Sequence, residues 1–153
     1  MRVAIVAPTE IPSRRANSIQ VMKMAQALVK LGLEVRLAAP RPSSPGEVRR
    51  LPSWEFLQQH YGLQCSFDIE WLPAVAALRR YDYGWRAVRW ACRWQADVLY
   101  TRLPQAAALG SGSGLPTVFE VHDFPQGFWG QRLFRWFLRG GGARRLVVIT
   151  SPL

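Results

Sequence analysis

Apolar runs alternate with amphipathic stretches along the chain, and this pattern predicts alternating strands and helices. Residues 3–7, VAIVA, form a continuous apolar run that is typical of a strand buried on both faces. A helix is predicted over 18–31, with Ser18 as its N-cap and Gly32 at its C-terminal stop. Residues 34–40 form the next predicted strand, so the N-terminal part of the chain indicates a right-handed βαβ unit.

The same alternation continues along the rest of the chain. Further strands are predicted at 67–73, 97–102, 116–121 and 145–150, and further helices at 47–61, 82–95, 104–109 and 128–139. Because helices and strands alternate, the pattern predicts an α/β protein with a Rossmann-like, doubly wound, mainly parallel sheet, as one domain over 1–153. The segment GSGSG at 110–114 precedes a strand instead of following one, so it is interpreted as a turn and not as a phosphate-binding loop.

Ionisable residues gather where one of these strands ends. The stretch FEVHDFP at 119–125 contains Glu120, His122 and Asp123, and ligands of doubly wound sheets bind beyond the carboxyl ends of the strands. His122 can donate to a phosphate or a sugar hydroxyl, or bond to the neighbouring carboxylate, and it is the best catalytic candidate. Asp123 can contact a ligand or cap the following helix. Glu120 lies inside the strand and is expected to pair with an arginine.

A second group of polar residues precedes the first predicted helix. Arg14, Arg15, Asn17 and Ser18 lie at its N-terminus, where backbone amides and guanidinium groups favour an anion. The alternative is that the two arginines are simply solvated. Arg102 ends another strand and is expected to point toward the same crevice. The predicted substrate-binding residues are therefore Arg14, Arg15, Asn17, Ser18, Arg102, His122 and Asp123.

The sequence is strongly basic, with 20 Lys and Arg against 10 Asp and Glu, which gives a net charge of +10. Such a surface attracts nucleic acid, anionic lipid or a phosphorylated substrate. The predicted helices at 82–95 and 128–139 carry arginine and tryptophan at high density. An arginine row edged by tryptophan suits an anionic membrane surface. The favoured interpretation is instead a packed helix whose solvated face is basic, and nucleic acid is not expected as a partner.

Other features of the sequence narrow its chemistry and location. Cys65 and Cys92 form no CxxC motif and have no histidine at ligand spacing, so both are expected to be reduced thiols. Neither a metal site nor a cofactor is expected. The opening MRVAIVAP is too short for a signal peptide, and no apolar run reaches the length of a membrane span. A cytoplasmic location is therefore expected, with peripheral contact at the inner face of the membrane as an alternative.

Four segments, taken in order, resemble the N-terminal domain of family-4-like glycosyltransferases of the GT-B fold. They are the first forty residues, DVLYTRLP, TVFEVHDFP and RRLVVITSPL. In that family two Rossmann-like domains face each other across a cleft. The resemblance implies retaining transfer of a sugar from a nucleotide sugar to an acceptor, with the N-terminal domain shaping the acceptor side. His122 would match the family histidine that reaches the donor, with Asp123 beside it.

The resemblance does not extend to a C-terminal nucleotide-sugar domain with its paired glutamates. It therefore implies an acceptor-side domain or fragment that is inactive alone. Its expected partners are the missing C-terminal domain or a partner subunit, and a sugar acceptor. The predicted last strand has no helix to cover its second face, so the chain looks cut short or completed by another chain. The alternative is a stand-alone basic module of flavodoxin-like architecture that binds a phosphorylated ligand, nucleic acid or a membrane surface.

Overall fold

The computed structural model describes residues 1–41, 51–78, 80–121 and 127–148. Helices and strands alternate through these residues, as the hydrophobic pattern predicts. The elements in chain order are β1 (Arg2–Val6), α1 (Ala16–Lys30), β2 (Glu34–Pro40), α2 (Trp54–Tyr61), β3 (Asp68–Leu72), a 3₁₀ turn (Ala76–Leu78), α3 (Tyr81–Arg93), β4 (Val98–Thr101), α4 (Pro104–Gly112), β5 (Thr117–Val121), α5 (Gly127–Arg139) and β6 (Ala143–Val148).

The strands form one sheet in the order β3-β2-β1-β4-β5-β6, and every neighbouring pair is parallel. This is the Rossmann strand order, and it differs from the flavodoxin-like order, in which β2 is an edge strand. The prediction of a Rossmann-like, doubly wound α/β domain is therefore confirmed, and the flavodoxin-like alternative is wrong in its topology. The strand order reverses between β1 and β4, and sheets of this type bind ligands beyond that switch point.

Helices cover both faces of the sheet. Side chains of α1 and α2 pack on one face, against alternate residues of β1 such as Val3 and Ile5. Side chains of α3 and α4 pack on the other face, against Ala4 and Val6, and α5 extends this layer over β5. Because both faces of β1 are covered, its apolar run is buried as predicted. The edge strand β6 is solvent-exposed along most of its length.

The predicted turn at GSGSG is wrong for its first three residues, because α4 continues to Gly112. Small side chains let this end of α4 approach its neighbours closely. A Cβ at Gly110 would lie 2.4 Å from the Leu99 side chain, so the glycine is needed for contact between helix and sheet. The Ser111 hydroxyl is buried and donates to the Phe137 carbonyl of α5 at 2.6 Å. The segment therefore has a packing role.

The start of α2 also differs from the prediction. The helix begins at Trp54, because the Ser53 hydroxyl caps it by accepting a hydrogen bond from the Phe56 amide at 3.3 Å. Residues 51–53 are not helical, and residues 47–50 of the predicted helix lie outside the described residues. A serine followed by an acidic first turn is a common N-terminal signal. The cap therefore locates the boundary better than the hydrophobic pattern does.

The buried Tyr83 side chain connects α3 to the carboxyl edge of the sheet. The Tyr83 side chain is fully buried, and its hydroxyl lies 2.9 Å from the Ala7 carbonyl and 2.8 Å from the Ala38 carbonyl. It can donate to either acceptor, at the carboxyl ends of β1 and β2. Burial raises the pKa of this phenol, so the hydroxyl keeps its proton. The Ala38 carbonyl also accepts from the Ala7 amide at 3.1 Å, so the phenol adds a side-chain contact to a backbone hydrogen bond at this edge.

Candidate functional site

A pocket of about 510 Å³ lies beyond the carboxyl ends of β1, β4 and β5, which is the switch point of the sheet. The loop after β1, the first turns of α1 and side chains from β4 and β5 surround it. Its polar lining comprises Thr9, Glu10, Arg15, Asn17, Gln20, Arg80, Tyr100, Arg102 and Glu120. The pocket is therefore polar at the place where a doubly wound sheet binds its ligand.

Side chains of α1 and α2 hold the loop after β1 in place. The Ser18 hydroxyl donates to the Glu10 carbonyl at 3.0 Å and lies 2.8 Å from the Thr9 hydroxyl. The Tyr61 hydroxyl accepts from the Ser13 amide at 2.7 Å and lies 3.1 Å from the Ser13 carbonyl, which ties the loop to α2. A loop held in this way presents a defined wall to a ligand.

The predicted cap at Ser18 is wrong. Helix α1 begins at Ala16 with Arg15 at the N-cap, and no side chain caps it. Ser18 is fully buried, its hydroxyl bonds to the preceding loop, and it is not part of the pocket lining. Serine is a common N-cap residue, but here the Ser18 hydroxyl donates to the Glu10 carbonyl of the loop instead of capping the helix.

The other predicted residues of the first loop separate into two groups. Arg15 and Asn17 are exposed and line the pocket at the N-terminus of α1. The first turn of α1 contains no acidic residue, so the positive end of the helix dipole adds to the charge of Arg15. Arg14 is exposed as well, but it is not part of the pocket lining. The structure therefore brings Arg15 and Asn17 together, and not Arg14.

The floor of the pocket contains a buried ion pair. Arg102 at the end of β4 donates to the Glu120 carboxylate on β5, and the side chains are 13% and 3% exposed. The Tyr100 hydroxyl donates to the second carboxylate oxygen of Glu120. Burial, and then the hydrogen bond to Glu120, raise the pKa of this phenol well above its usual range. The predicted pairing of Glu120 with an arginine is confirmed, and the charge of Arg102 is balanced within the protein.

Five polar residues of the lining are not among those that the sequence pattern singles out, and they are Thr9, Glu10, Gln20, Arg80 and Tyr100. Tyr100 lies two positions before Arg102, so strand alternation could have placed both side chains on the same face of the sheet. Arg80 precedes α3 with a φ of 67°, an uncommon conformation that the sequence pattern does not signal. The predicted residues His122 and Asp123 lie outside the described residues.

The charges of the lining favour a polar ligand. Arg102 and Glu120 balance each other, so the other charged residues of the lining are Arg15, Arg80 and Glu10. Arginine donates hydrogen bonds in a planar fork and accepts none, so it binds hydroxyl, carboxylate or phosphate oxygens. Within the described ranges, no three His, Cys, Asp or Glu residues are placed to hold a metal ion. Among the same residues, no helix combines the length and hydrophobicity that a bilayer crossing requires.

Another pocket of about 510 Å³ lies near the amino ends of β2 and β3. It is lined by Trp54, Phe67 and Trp71, and by the exposed ion pair between Arg36 and Asp68. Parallel sheets place their ligand sites at the opposite edge, beyond the carboxyl ends of the strands. The pocket beside Arg15 is therefore the better candidate, and it is called the carboxyl-edge pocket below.

A doubly wound domain with a polar pocket at its switch point is typical of the ligand-binding α/β class of proteins. Within this class, residues 18–152 match the family described as a glycosyl transferase 4-like domain. The match covers most of the chain, so the chain belongs to the glycosyl transferase 4-like family, as its resemblance implied. No curated protein matches the chain.

Among solved structures, the chain is similar to one titled "Spinosyn Rhamnosyltransferase SpnG complexed with spinosyn aglycone". The two sequences are 20% identical and the TM-score is 0.49. The match covers 87% of this chain and 38% of the other. The present chain therefore spans well under half the length of that transferase.

Proposed function

We propose that this chain is the acceptor-side domain of a retaining glycosyltransferase that moves a sugar from a nucleotide sugar to an acceptor. The observation that carries the proposal is the family match over residues 18–152. The retaining outcome and the nucleotide donor follow from the resemblance to family-4-like enzymes. The carboxyl-edge pocket supports the proposal, because it offers hydrogen-bonding groups at the edge where this fold binds ligands.

In this proposal the acceptor binds in the carboxyl-edge pocket. Arg15 and Asn17 supply hydrogen bonds to acceptor hydroxyl or phosphate groups, since both are exposed and line the pocket. The Tyr100, Arg102 and Glu120 network forms a fixed floor that orients the acceptor without reorganising. His122 keeps its proposed role as a contact to the donor sugar, on the sequence resemblance alone.

The nucleotide is proposed to bind mainly to a second domain across the cleft. The 153 residues on their own should then bind UDP- or GDP-sugars no more tightly than about millimolar, which is about −4 kcal/mol. Calorimetry with a panel of these sugars measures the affinity directly. Micromolar binding of any of them would contradict the proposal that the nucleotide binds mainly to a second domain.

Acceptor binding should depend on Arg15 and much less on Arg14. Saturation-transfer NMR with glycosides, sugar phosphates and lipid-linked sugars would first identify an acceptor that binds this domain. We expect Arg15→Ala to lower the affinity of the domain for that acceptor by about tenfold. This is the scale of one lost hydrogen bond to a charged group. Arg14→Ala is a matched control, because it removes the same charge from a residue outside the pocket lining. An equal loss in both variants would show that general charge, and not the pocket, attracts the acceptor.

A further inference from the structure

Helices α3 and α5 flank α4 in one layer, and a groove lies on this layer. Helix α4 lies in the middle, and its Ala106, Ala107 and Ala108 are fully buried. Tyr81 of α3 and residues of α5 border a groove of about 550 Å³. The surface formed by the outer sides of α3 and α5 is called the α3–α5 face below.

The α3–α5 face is strongly cationic. Six exposed arginines lie on its two helices, at 86, 89 and 93 on α3 and at 132, 135 and 139 on α5. Asp82 is the one acidic residue within α3, α4 and α5, and its carboxylate accepts from the Val75 amide at 2.9 Å. Among the described residues, none of the six arginines forms an ion pair. The face therefore has a large positive charge that the described part of the domain does not balance.

Large apolar side chains are exposed among these arginines. Phe128 is 65% exposed, Trp129 63%, Leu138 53%, Trp85 50% and Trp136 48%. The Arg132 guanidinium lies 4.5 Å from the centre of the Phe128 ring, and the Arg89 guanidinium lies 5.3 Å from the centre of the Trp85 ring. A packed helix with a basic solvated face, the favoured interpretation from sequence, explains the buried Leu133 and Phe137 but not this exposed apolar group.

We propose that the α3–α5 face docks on an anionic lipid bilayer. Tryptophan prefers the level of the lipid headgroups, where its ring is partly apolar and its N–H stays hydrated. Arginine can bind headgroup phosphates while its aliphatic stem lies on apolar surface. Trp129, Trp136 and Arg135 border the same groove, so one shallow insertion engages both kinds of side chain.

Charge complementarity favours lipid over a second copy of this chain. Two α3–α5 faces brought together would place six arginines against six, and opposing like charges disfavour association. An anionic membrane surface instead attracts each arginine near it. The inference is independent of the proposed sugar transfer, because it uses only the outer surface of α3 and α5.

Vesicle sedimentation tests the inference with the 153-residue chain. We expect binding to mixed phosphatidylcholine and phosphatidylglycerol vesicles, weaker binding at high salt, and little binding to pure phosphatidylcholine. Arg132→Gln with Arg135→Gln should weaken binding by about thirtyfold, since each lost charge near an anionic surface is worth about a factor of five. The matched control is Lys30→Gln with Arg41→Gln, which lowers the net charge equally at residues outside α3 and α5. This control should change the affinity by less than about threefold.

Fluorescence quenching by brominated lipid locates the contact. Trp129→Ala should weaken vesicle binding and reduce the quenching, while circular dichroism confirms that each variant is folded. An equal loss in the two double variants would overturn the inference, because net charge alone would then explain the binding. Tighter binding to single-stranded RNA than to vesicles, or a dimer that shields Trp129, would also overturn it by assigning the face to another partner.

Discussion

Glu120→Ala is expected to lower the free energy of unfolding by about 3 kcal/mol, even though a single carboxylate is removed. Glu120 accepts from both Arg102 and Tyr100 in a region where its own side chain is 3% exposed. Its loss leaves a largely buried guanidinium and a phenol without their carboxylate partner. The expected loss is at the lower end for a broken buried ion pair, because the pocket lets water reach Arg102. Urea unfolding followed by circular dichroism measures the change.

The ion pair between Arg36 and Asp68 is the control for Glu120→Ala. It also joins neighbouring parallel strands through an arginine and a carboxylate, at 3.3 Å, but the Asp68 side chain is 75% exposed. Asp68→Ala should therefore cost no more than about 0.5 kcal/mol, as exposed pairs contribute little. Similar losses for the two variants would show that burial does not determine the importance of the Glu120 pair.

A paired replacement separates lost charge from lost volume. Arg102→Met with Glu120→Leu removes both charges and keeps most of the side-chain volume, and such changes in buried pairs are often neutral or stabilising. We expect the double variant to be more stable than Glu120→Ala. If it is equally unstable, the cost comes from altered packing or from the lost hydrogen bond of Tyr100, and not from an unbalanced arginine.

The elements of the sheet were predictable because hydrophobic periodicity is a local property of the sequence. The buried run of β1 and the stop of α1 at Gly32 are both where the pattern places them. The pairing of Glu120 with an arginine was predictable as well, because a charge inside a buried strand needs a partner. Identifying Arg102 as that partner requires knowledge of how β4 pairs with β5, and a single sequence does not show this pairing.

The errors occur where tertiary contacts override local preference. Ser18 has the chemistry of a cap, but it bonds to the Glu10 carbonyl of a loop whose path depends on α2. The GSGSG segment has the composition of a turn, but three of its residues continue α4 because their small size allows close packing. These features depend on neighbours that are distant in sequence.

Gly140→Ala is expected to destabilise the domain by about 3 kcal/mol, although alanine adds a single methyl group. A Cβ at Gly140 would lie 2.0 Å from the Ser111 hydroxyl oxygen and 2.5 Å from the Ser111 carbonyl carbon. The carbonyl carbon belongs to the backbone, so a rotamer change of Ser111 cannot relieve the contact. Helix α4 and the end of α5 would have to move apart, which would weaken the bond from the Ser111 hydroxyl to the Phe137 carbonyl.

Gly141→Ala is a closely matched control for this variant, because a Cβ at Gly141 would meet nothing within 4 Å. Each substitution removes one glycine from the unfolded chain, so the entropic effect on the unfolded state is nearly the same in both. The difference between their free energies of unfolding therefore isolates the steric cost in the folded protein. Gly141→Ala should stay within about 0.5 kcal/mol of the parent chain. Coincident urea midpoints for the two variants would show that α4 and α5 can separate at little cost, and that the small residues at this contact do not determine how α5 is placed on the sheet.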